Sequence, residues 1–459
     1  MIPTVPYNVI LLTTDSLRAD CVGPRGEDPS VTPHLDELRR DSVDFSCACS
    51  ASSYTWGVFA SVFLSAYPAT VTTRRGVLVA QRPTLAELLQ RNGYMTAGFN
   101  SNPFISTGFG YGRGFDLLDD GLVLKGARIP DWIYPLLARA QRMVMRQPYL
   151  SAAAINRKAA RWLRQTCKHR RPFFLWLHYM DVHGPYQSKR GLTYLNKLRA
   201  EWLWRKACAT PEKISPREHE ELLRFYREEI AYADHHIGLL LALLRQLGVC
   251  DSTIIILCAD HGDEFREHGR YSHWRQLYDE LVRVPLIIRH PEGQRGLSVD
   301  TPVGLVDILP TIVDMLSLEA DSSQFVGQSL WSLLRDGDTR GLSGFVVGDA
   351  TPDRDDTIVS IRTDLWKLII DSTKGGAELY DLERDPGEQV NVIAQYPEVA
   401  QELEAKLWAE FSKQPIEATG QVAGPEWNRA EEQEVLARLQ ALGYVDWVEE
   451  HKQRQTRDK

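Results

Sequence analysis

The run Ile254-Ile-Ile-Leu-Cys-Ala-Asp260-His261-Gly262-Asp263-Glu264 decides how this chain is read. A short β-branched apolar run is the pattern of a strand buried on both faces of a parallel sheet. This one ends in an acid, a histidine and a glycine. In open α/β sheets, ligands and catalytic groups gather at the carboxyl ends of strands. A carboxylate beside an imidazole is a good pair of divalent-metal ligands. Taken alone, Asp-His-Gly also reads as a turn that merely closes a strand. Two further segments repeat the pattern. Asn8-Val-Ile-Leu-Leu-Thr-Thr-Asp15-Ser16 is a second apolar run ending in an acid, with Arg18, Asp20 and Gly23 after it. Pro172-Phe-Phe-Leu-Trp-Leu-His178-Tyr-Met-Asp181-Val-His183-Gly184-Pro185-Tyr186 is a third, and Gly184 and Pro185 force a loop there. A lone strand-end Asp15 is commonly a helix N-cap, and a lone loop histidine is commonly structural. Three such ends opening on one sheet edge suggest a shared site, with His183 in a catalytic or anion-binding role.

Strand-like runs at 8–12, 95–99, 173–177, 254–258 and 284–288 alternate with helical patterns such as Leu35-Leu38 and Leu85-Leu88-Leu89. Glu229 to Leu244 reads as a long amphipathic helix closed by Gly248. Alternating β and α elements predict an α/β fold: a large, mainly parallel sheet flanked by helices. From about residue 340 the character changes. Val346-Val-Gly, Thr357-Ile-Val-Ser-Ile and Trp366-Lys-Leu-Ile-Ile read as short strands, Leu403 to Phe411 as a helix, 414–428 as a linker and 430–442 as another helix. The tail after about 450 is charged and expected to fray. These boundaries divide the chain into a catalytic domain, 1–338, and a C-terminal α+β subdomain with charged tail, 339–459.

The 459 residues are 43% hydrophobic, enough for a sizeable core. A net charge of −8 gives no general reason to expect nucleic-acid binding. No stretch reaches the roughly 18 apolar residues of a membrane span. The first strand begins by about residue 8, leaving no room for a signal peptide, so a cytoplasmic location is expected. The seven cysteines are odd in number, and Cys47-Ala-Cys49 is not a zinc spacing. Free thiols in a reducing compartment fit them.

Several motifs in order carry a resemblance. They run from Thr14-Asp15-Ser16-Leu17-Arg18-Ala19-Asp20 and Thr32-Pro33-His34-Leu35-Asp36 through Ser101-Asn102-Pro103 and Gly112-Arg113-Gly114-Phe115-Asp116 to His178–Tyr186. Asp260–Gly269, Leu277-Tyr-Asp-Glu-Leu-Val-Arg-Val-Pro285, Asp307-Ile-Leu-Pro-Thr311 and Glu378-Leu-Tyr-Asp-Leu-Glu-Arg-Asp-Pro-Gly-Glu388 complete the series. With these motifs the chain resembles the sulfatases of the alkaline phosphatase superfamily across nearly its whole length. The resemblance implies an alkaline-phosphatase-like sandwich, with a small C-terminal antiparallel sheet packed by a helix.

The nucleophile motif departs from the family. Sulfatases carry Cys or Ser, any residue, then Pro-Ser-Arg, before Ala-Ser and a Tyr-Pro. Here the segment is Thr55-Trp56-Gly57-Val58-Phe59-Ala60-Ser61 through Tyr67-Pro68. The Ala-Ser and Tyr-Pro anchors place Thr55 at the nucleophile and Phe59 at the arginine. The family's formylglycine is made from Cys or Ser, and threonine cannot supply it. A threonine forms a plain ester that water must attack, a route suited to phosphoryl transfer with metal help. The resemblance to Thr-nucleophile relatives implies one divalent metal (Mn, Ca, Mg or Zn) held by Asp15, Thr55, Asp260 and His261. The metal would lower the pKa of the Thr55 hydroxyl. The two-metal pattern needs an Asp with a His four positions on, a spacing that Asp181-Val-His183 lacks. His183 is the first candidate general acid, and His273 binds the anion or shares that role, with Trp274 as the alternative register. Asn102 and His178 are expected to contact substrate.

Phosphodiester or phosphonate-ester hydrolysis is the favoured reaction, with sulfuric esters kept open. A catalytically inactive relative that binds an anion or partner, and a phosphoryl transferase, are the alternatives. Residues 122–171 hold twelve Lys or Arg and a single acid, Asp131, interleaved with Trp132, Ile133, Tyr134, Leu136, Leu137, Met143 and Met145. This reads either as an ordinary helical insertion with a solvated face, or as a basic cover that recruits a small-molecule or lipid-linked anionic ester, or touches an anionic membrane surface peripherally. A second insertion, 187–221, with Trp202 and Trp204, is expected to build the opposite wall.

Overall fold

The apolar runs become the central strands of one sheet. In the computed structural model, which describes residues 6–23, 30–73, 76–121, 149–169, 171–186, 194–351, 356–413, 429–442 and 444, β1 (Asn8–Thr14) lies between β5 (Phe173–Tyr179) and β6 (Thr253–Ala259), parallel to both. All three strands are buried along their whole length, as a parallel sheet covered on both faces requires. Val9, Ile10, Leu11 and Leu12 are each at most 1% exposed, and such burial stabilises the fold by roughly 1.5–3 kcal/mol per side chain.

The sheet has nine strands. Added to these are β2 (Val43–Cys49), β3 (Met95–Phe99), β4 (Leu117–Asp119), β9 (Arg283–Arg289), β10 (Leu297–Val299) and β11 (Val303–Gly304). The order is β10-β2-β9-β6-β1-β5-β3-β4, with β11 beside β2. Only β9 runs antiparallel to its neighbours β6 and β2, so the sheet is mainly parallel. A short hairpin, β7 (Glu264–Phe265) and β8 (Tyr271–Ser272), stands beyond the end of β6.

The long helix starts earlier than its apolar stripe suggests, running Pro216–Gln246. Ser215 and Glu218 form a capping box ahead of Pro216, and this cap sets the start inside the stretch expected to be an insertion. The small sheet is β12 (Phe345–Asp349), β13 (Ile358–Thr363), β14 (Trp366–Asp371) and β15 (Gly376–Asp381), antiparallel in that order. Helix Pro397–Ser412 packs on it through Ala400, Leu403 and Leu407. Helix Arg429–Ala441 instead buries Val435 and Leu439 in the large core.

Of the basic stretch, residues 122–148 lie outside the described residues, as do the linker 414–428 and the tail beyond 444. The C-terminal part of that stretch is a core element: helix Ala152–Thr166 buries Ala152, Ile155, Ala159 and Leu163. In the second insertion the two tryptophans differ. Trp204 is buried, and a Cβ on Gly184 would fall 2.0 Å from its indole nitrogen, so only glycine fits there. Trp202 is half exposed beneath Arg199 and Lys206. No described helix is long and apolar enough to cross a membrane. The seven cysteines form no disulfide.

Candidate active site

Register places the first two acids. Thr14 pairs with Ala259, so Asp15 and Asp260 leave the sheet side by side. Ser16 then takes a left-handed backbone (φ 58°), which turns its N–H onto Asp260 Oδ1 at 3.1 Å. The N–H of His261 donates to the same oxygen at 2.8 Å. Gly262 comes next because a Cβ there would lie 2.1 Å from the Glu280 carbonyl oxygen.

Thr55 is the first residue of helix Thr55–Leu64, where the unpaired amides and the helix dipole favour negative charge. Its approach is fixed by serines: Ser52 Oγ donates to Asp349 O of β12 at 2.7 Å, and Ser53 Oγ to Trp274 O at 2.8 Å. Thr55 Oγ1 then lies 3.5 Å from Asp15 Oδ2 and 3.4 Å from His261 Nε2. Asn102 joins the same group, its Nδ2 donating to Asp15 Oδ2 and to Thr55 Oγ1, both at 3.3 Å. Asp15 is fully buried, Thr55 and Asp260 are 1% exposed, and His261 is fully buried.

His178 lies behind Asp15, against the core. Its Nε2 is 3.3 Å from Asp15 Oδ2 and its Nδ1 3.0 Å from Thr13 Oγ1. Trp176 Nε1 donates to that same Thr13 oxygen at 3.1 Å. Phe59, at the family's arginine position, packs edge-on against the His178 ring with centroids 5.0 Å apart. His178 therefore braces the carboxylate, and its place differs from the substrate contact expected from sequence.

The second set of groups faces Thr55 from another side. His183 Nδ1 donates to Gly184 O, so its Nε2 is turned inward. His273 Nδ1 lies 2.9 Å from Asp263 Oδ1. The His261 and His273 rings are 4.2 Å apart, and those of His183 and His273 5.0 Å. Trp274 is 42% exposed, and of the two residues it is His273 that lies against His261 and His183.

Two residues here escaped the sequence reading. Asp263 sits within the opening run, yet only its contact with His273 reveals an orienting position. Tyr444 places its hydroxyl 3.1 Å from His273 Nε2 and 3.4 Å from His183 Nε2. A lone aromatic after a helix carries no pattern that could have found it.

The charges are unbalanced. Burial raises Asp15, but His183, His178 and His261 outweigh it and hold the acid well below its usual range. Burial, then the charge of Asp15, pushes Asp260 well above the usual range. Burial lifts Asp263 to about 7 against the pull of His183 and His261. Burial, with His261 and His183 close by, pushes His273 far down, so its imidazole is neutral. Asp260 Oδ2 is buried without a hydrogen-bond partner. Two adjoining carboxylates with an orphaned oxygen, beside an inward imidazole and a hydroxyl, are the donor set of a hard divalent cation. His261 Nδ1, 2.9 Å from Gly262 O, donates there and leaves Nε2 free to ligate, the tautomer metal-bound histidines adopt. Asp15, His178 and Asp260 bring ligand atoms together in one group, and His261, Asp263 and His273 in another.

Comparison with known proteins agrees with this architecture. The sulfatase family model matches residues 7–318, and a model described as N-sulphoglucosamine sulphohydrolase, C-terminal, matches 266–414. An ulvan-active sulfatase of Formosa agariphila is 26% identical over 430 residues, covering 88% of this chain and 81% of that protein. A phosphonate monoester hydrolase of Agrobacterium radiobacter superposes with a TM-score of 0.68 at 20% identity, over 89% of this chain and 96% of the other. A structure solved with D-glucosamine-2-N,6-O-disulfate as substrate gives 0.70 at 20% identity, over 89% and 98%. The chain belongs to the sulfatase family, and it is a hydrolase that acts on ester bonds.

Proposed function

We propose that the protein is a metal-dependent hydrolase that cleaves a phosphodiester or phosphonate ester through a covalent adduct on Thr55. The observation that carries this reading is the position of Thr55 Oγ1 at a helix N-terminus, between Asp15 Oδ2 and His261 Nε2. Asp15, Thr55, Asp260 and His261 would hold one divalent ion. When bound, such an ion lowers the pKa of a nearby hydroxyl and offsets charge on the transferred group.

The protein's own residues do the rest. Asn102 fixes the rotamer of Thr55, and Asp15 faces the hydroxyl proton as it leaves. The bond from Thr55 Oγ1 to phosphorus forms as the bond to the leaving oxygen breaks. As the acid, His183 carries protons on both nitrogens: Nδ1–H stays on Gly184 O, and Nε2–H goes to the leaving oxygen. Neutral His273, oriented by Asp263, binds beside it. Water then attacks the adduct, giving a proton back to His183 Nε2, and the bond from Thr55 Oγ1 to phosphorus breaks to free Thr55. A cysteine- or serine-derived aldehyde would offer an elimination route, and threonine does not, which favours phosphorus over sulfur. The names of the relatives favour sulfuric esters as the second reading.

A screen of 4-nitrophenyl sulfate, phosphate, phosphodiester and phosphonate with Mn, Ca, Mg and Zn tests both. Diester or phosphonate cleavage is expected, with Thr55→Ala slower by on the order of 10⁴-fold. Sulfate cleavage as the main activity would establish the second reading. Full activity in Thr55→Ala would remove the covalent step.

A further inference from the structure

Tyr444 is anchored from behind. Beyond Val435 and Leu439, Leu442 is buried beside Tyr149 and Met180, and Arg438 donates to the Gly121 carbonyl. The Tyr444 N–H donates to Leu439 O at 3.0 Å. Its ring meets Phe104 edge-on at 4.9 Å. These contacts aim the hydroxyl into the space that His273 Nε2, His183 Nε2 and Thr55 all face.

In the neutral state both histidines offer a lone pair here, because each Nδ1 is already committed, to Gly184 O or to Asp263. Tyr444 thus presents a hydroxyl to the leaving-group acids, as a released alcohol would. In-line transfer puts the phosphorus or sulfur atom between Thr55 Oγ1 and the leaving oxygen. The Tyr444 hydroxyl sits against the two imidazoles that would meet the leaving oxygen, on the side facing Thr55, so it and a tetrahedral group there exclude one another.

We propose that Tyr444, held by the helix Arg429–Ala441 before it, is a product-mimicking plug, whose phenol occupies the leaving-group subsite and must withdraw before an ester can bind. This rests on the roles assigned above to Thr55, His183 and His273.

The test is calorimetric titration of the manganese-loaded protein with inorganic phosphate. Tyr444→Ala should bind phosphate about tenfold or more tightly than the wild type, and Tyr444→Phe, which keeps the ring and loses the hydroxyl, should fall between. Hydrogen exchange of wild-type amides 435–442 should quicken when phosphate is added. Unchanged or weaker phosphate binding in folded Tyr444→Ala overturns the plug and makes Tyr444 a donor in the working site. Absence of binding to either variant also overturns it, since an emptied subsite must take the anion. If Tyr444→Ala does not fold, Tyr444→Phe and the exchange measurement decide, and unchanged or slowed exchange counts against the plug. None of these readouts needs turnover, so an ester screen that fails on every substrate would sink the proposed function separately.

Discussion

Two buried clusters of ionisable groups among the described residues meet their charge in different ways. At the junction of the two sheets, Lys367 Nζ lies 2.7 Å from Asp279 and 2.8 Å from Glu388, and Arg362 Nε lies 3.2 Å from Asp279. Two cations meet two acids. Burial alone would raise Asp279, but Lys367 and then Arg362 hold it far below its usual range. At the carboxyl ends of β1 and β6, the described groups bonded to the Asp15, Asp260 and Asp263 carboxylates are imidazoles, hydroxyls, the Asn102 amide and backbone N–H groups, with no lysine or arginine among them. Burial, and then the charge of Asp15, forces Asp260 up, and Asp260 Oδ2 has no hydrogen-bond partner. Buried charge is costly unless it is matched within the protein or from outside it. The junction pairs each acid with a cation, although burial still lifts Glu388 to about 7 against the pull of Lys367. The strand-end cluster leaves its charge open to a bound cation.

This contrast can be broken by substitution. The largest effect is expected from Asp260→Asn. It keeps an acceptor for Ser16 and His261 and removes one negative charge. Bound metal should fall, and turnover should drop on the order of a thousandfold, about 4 kcal/mol in the barrier. The metal-free protein should become more heat-stable, because the cost of burying that acid beside Asp15 is gone. Unchanged metal by elemental analysis would take Asp260 out of the site, and a lower melting temperature would deny that the cluster is unbalanced.

Lys367→Met should act in the opposite sense. It strands Asp279 and Glu388 without their shared cation and costs about 3 kcal/mol of stability by denaturant titration. Metal content should not change, and a parallel loss of metal would mean that the two clusters are not independent.

The smallest effect tests the edge of the junction. His268 Nδ1 lies 2.6 Å from Glu280, its Nε2 lies 2.9 Å from Glu388 O, and its ring stacks on Tyr278. Burial lowers its pKa, but the Glu280 carboxylate overcomes this and lifts it to about 9. A raised histidine pKa gives stability that is complete below the unfolded value of about 6.5 and is lost as pH rises through 9. His268→Gln should remove about 1–2 kcal/mol of that pH-dependent loss. An identical pH profile in the variant would show that the pair contributes nothing.

The parts legible in the sequence were those where one strand carries its own signal. Asp15, His178 and Asp260 end unbroken apolar runs, so both their strands and their meeting place could be read. β2 was harder, because Asp44 and Ser46 interrupt Val43-Asp-Phe-Ser-Cys-Ala-Cys and hide its buried face. β15 lay unrecognised inside the Glu378-Leu-Tyr-Asp motif for a similar reason. The capping box at Ser215 was present in the sequence but was outweighed by the apolar stripe further on. Tyr444 depends on where a distant helix docks, and no local pattern encodes that.

The Phe59 that packs on His178 has a consequence for the order of events. An arginine there would give the site a permanent positive charge. With phenylalanine, the groups touching Asp15 and Thr55 among the described residues are hydroxyl, amide and imidazole, none of them fixed cations. Without a cation, an anionic ester reaching Thr55 would meet the ionised Asp15 carboxylate, which repels it. On the proposed reading, cation loading would then be a precondition for substrate capture as well as for chemistry, and the concentration of available metal would set the fraction of molecules that can recruit a substrate at all.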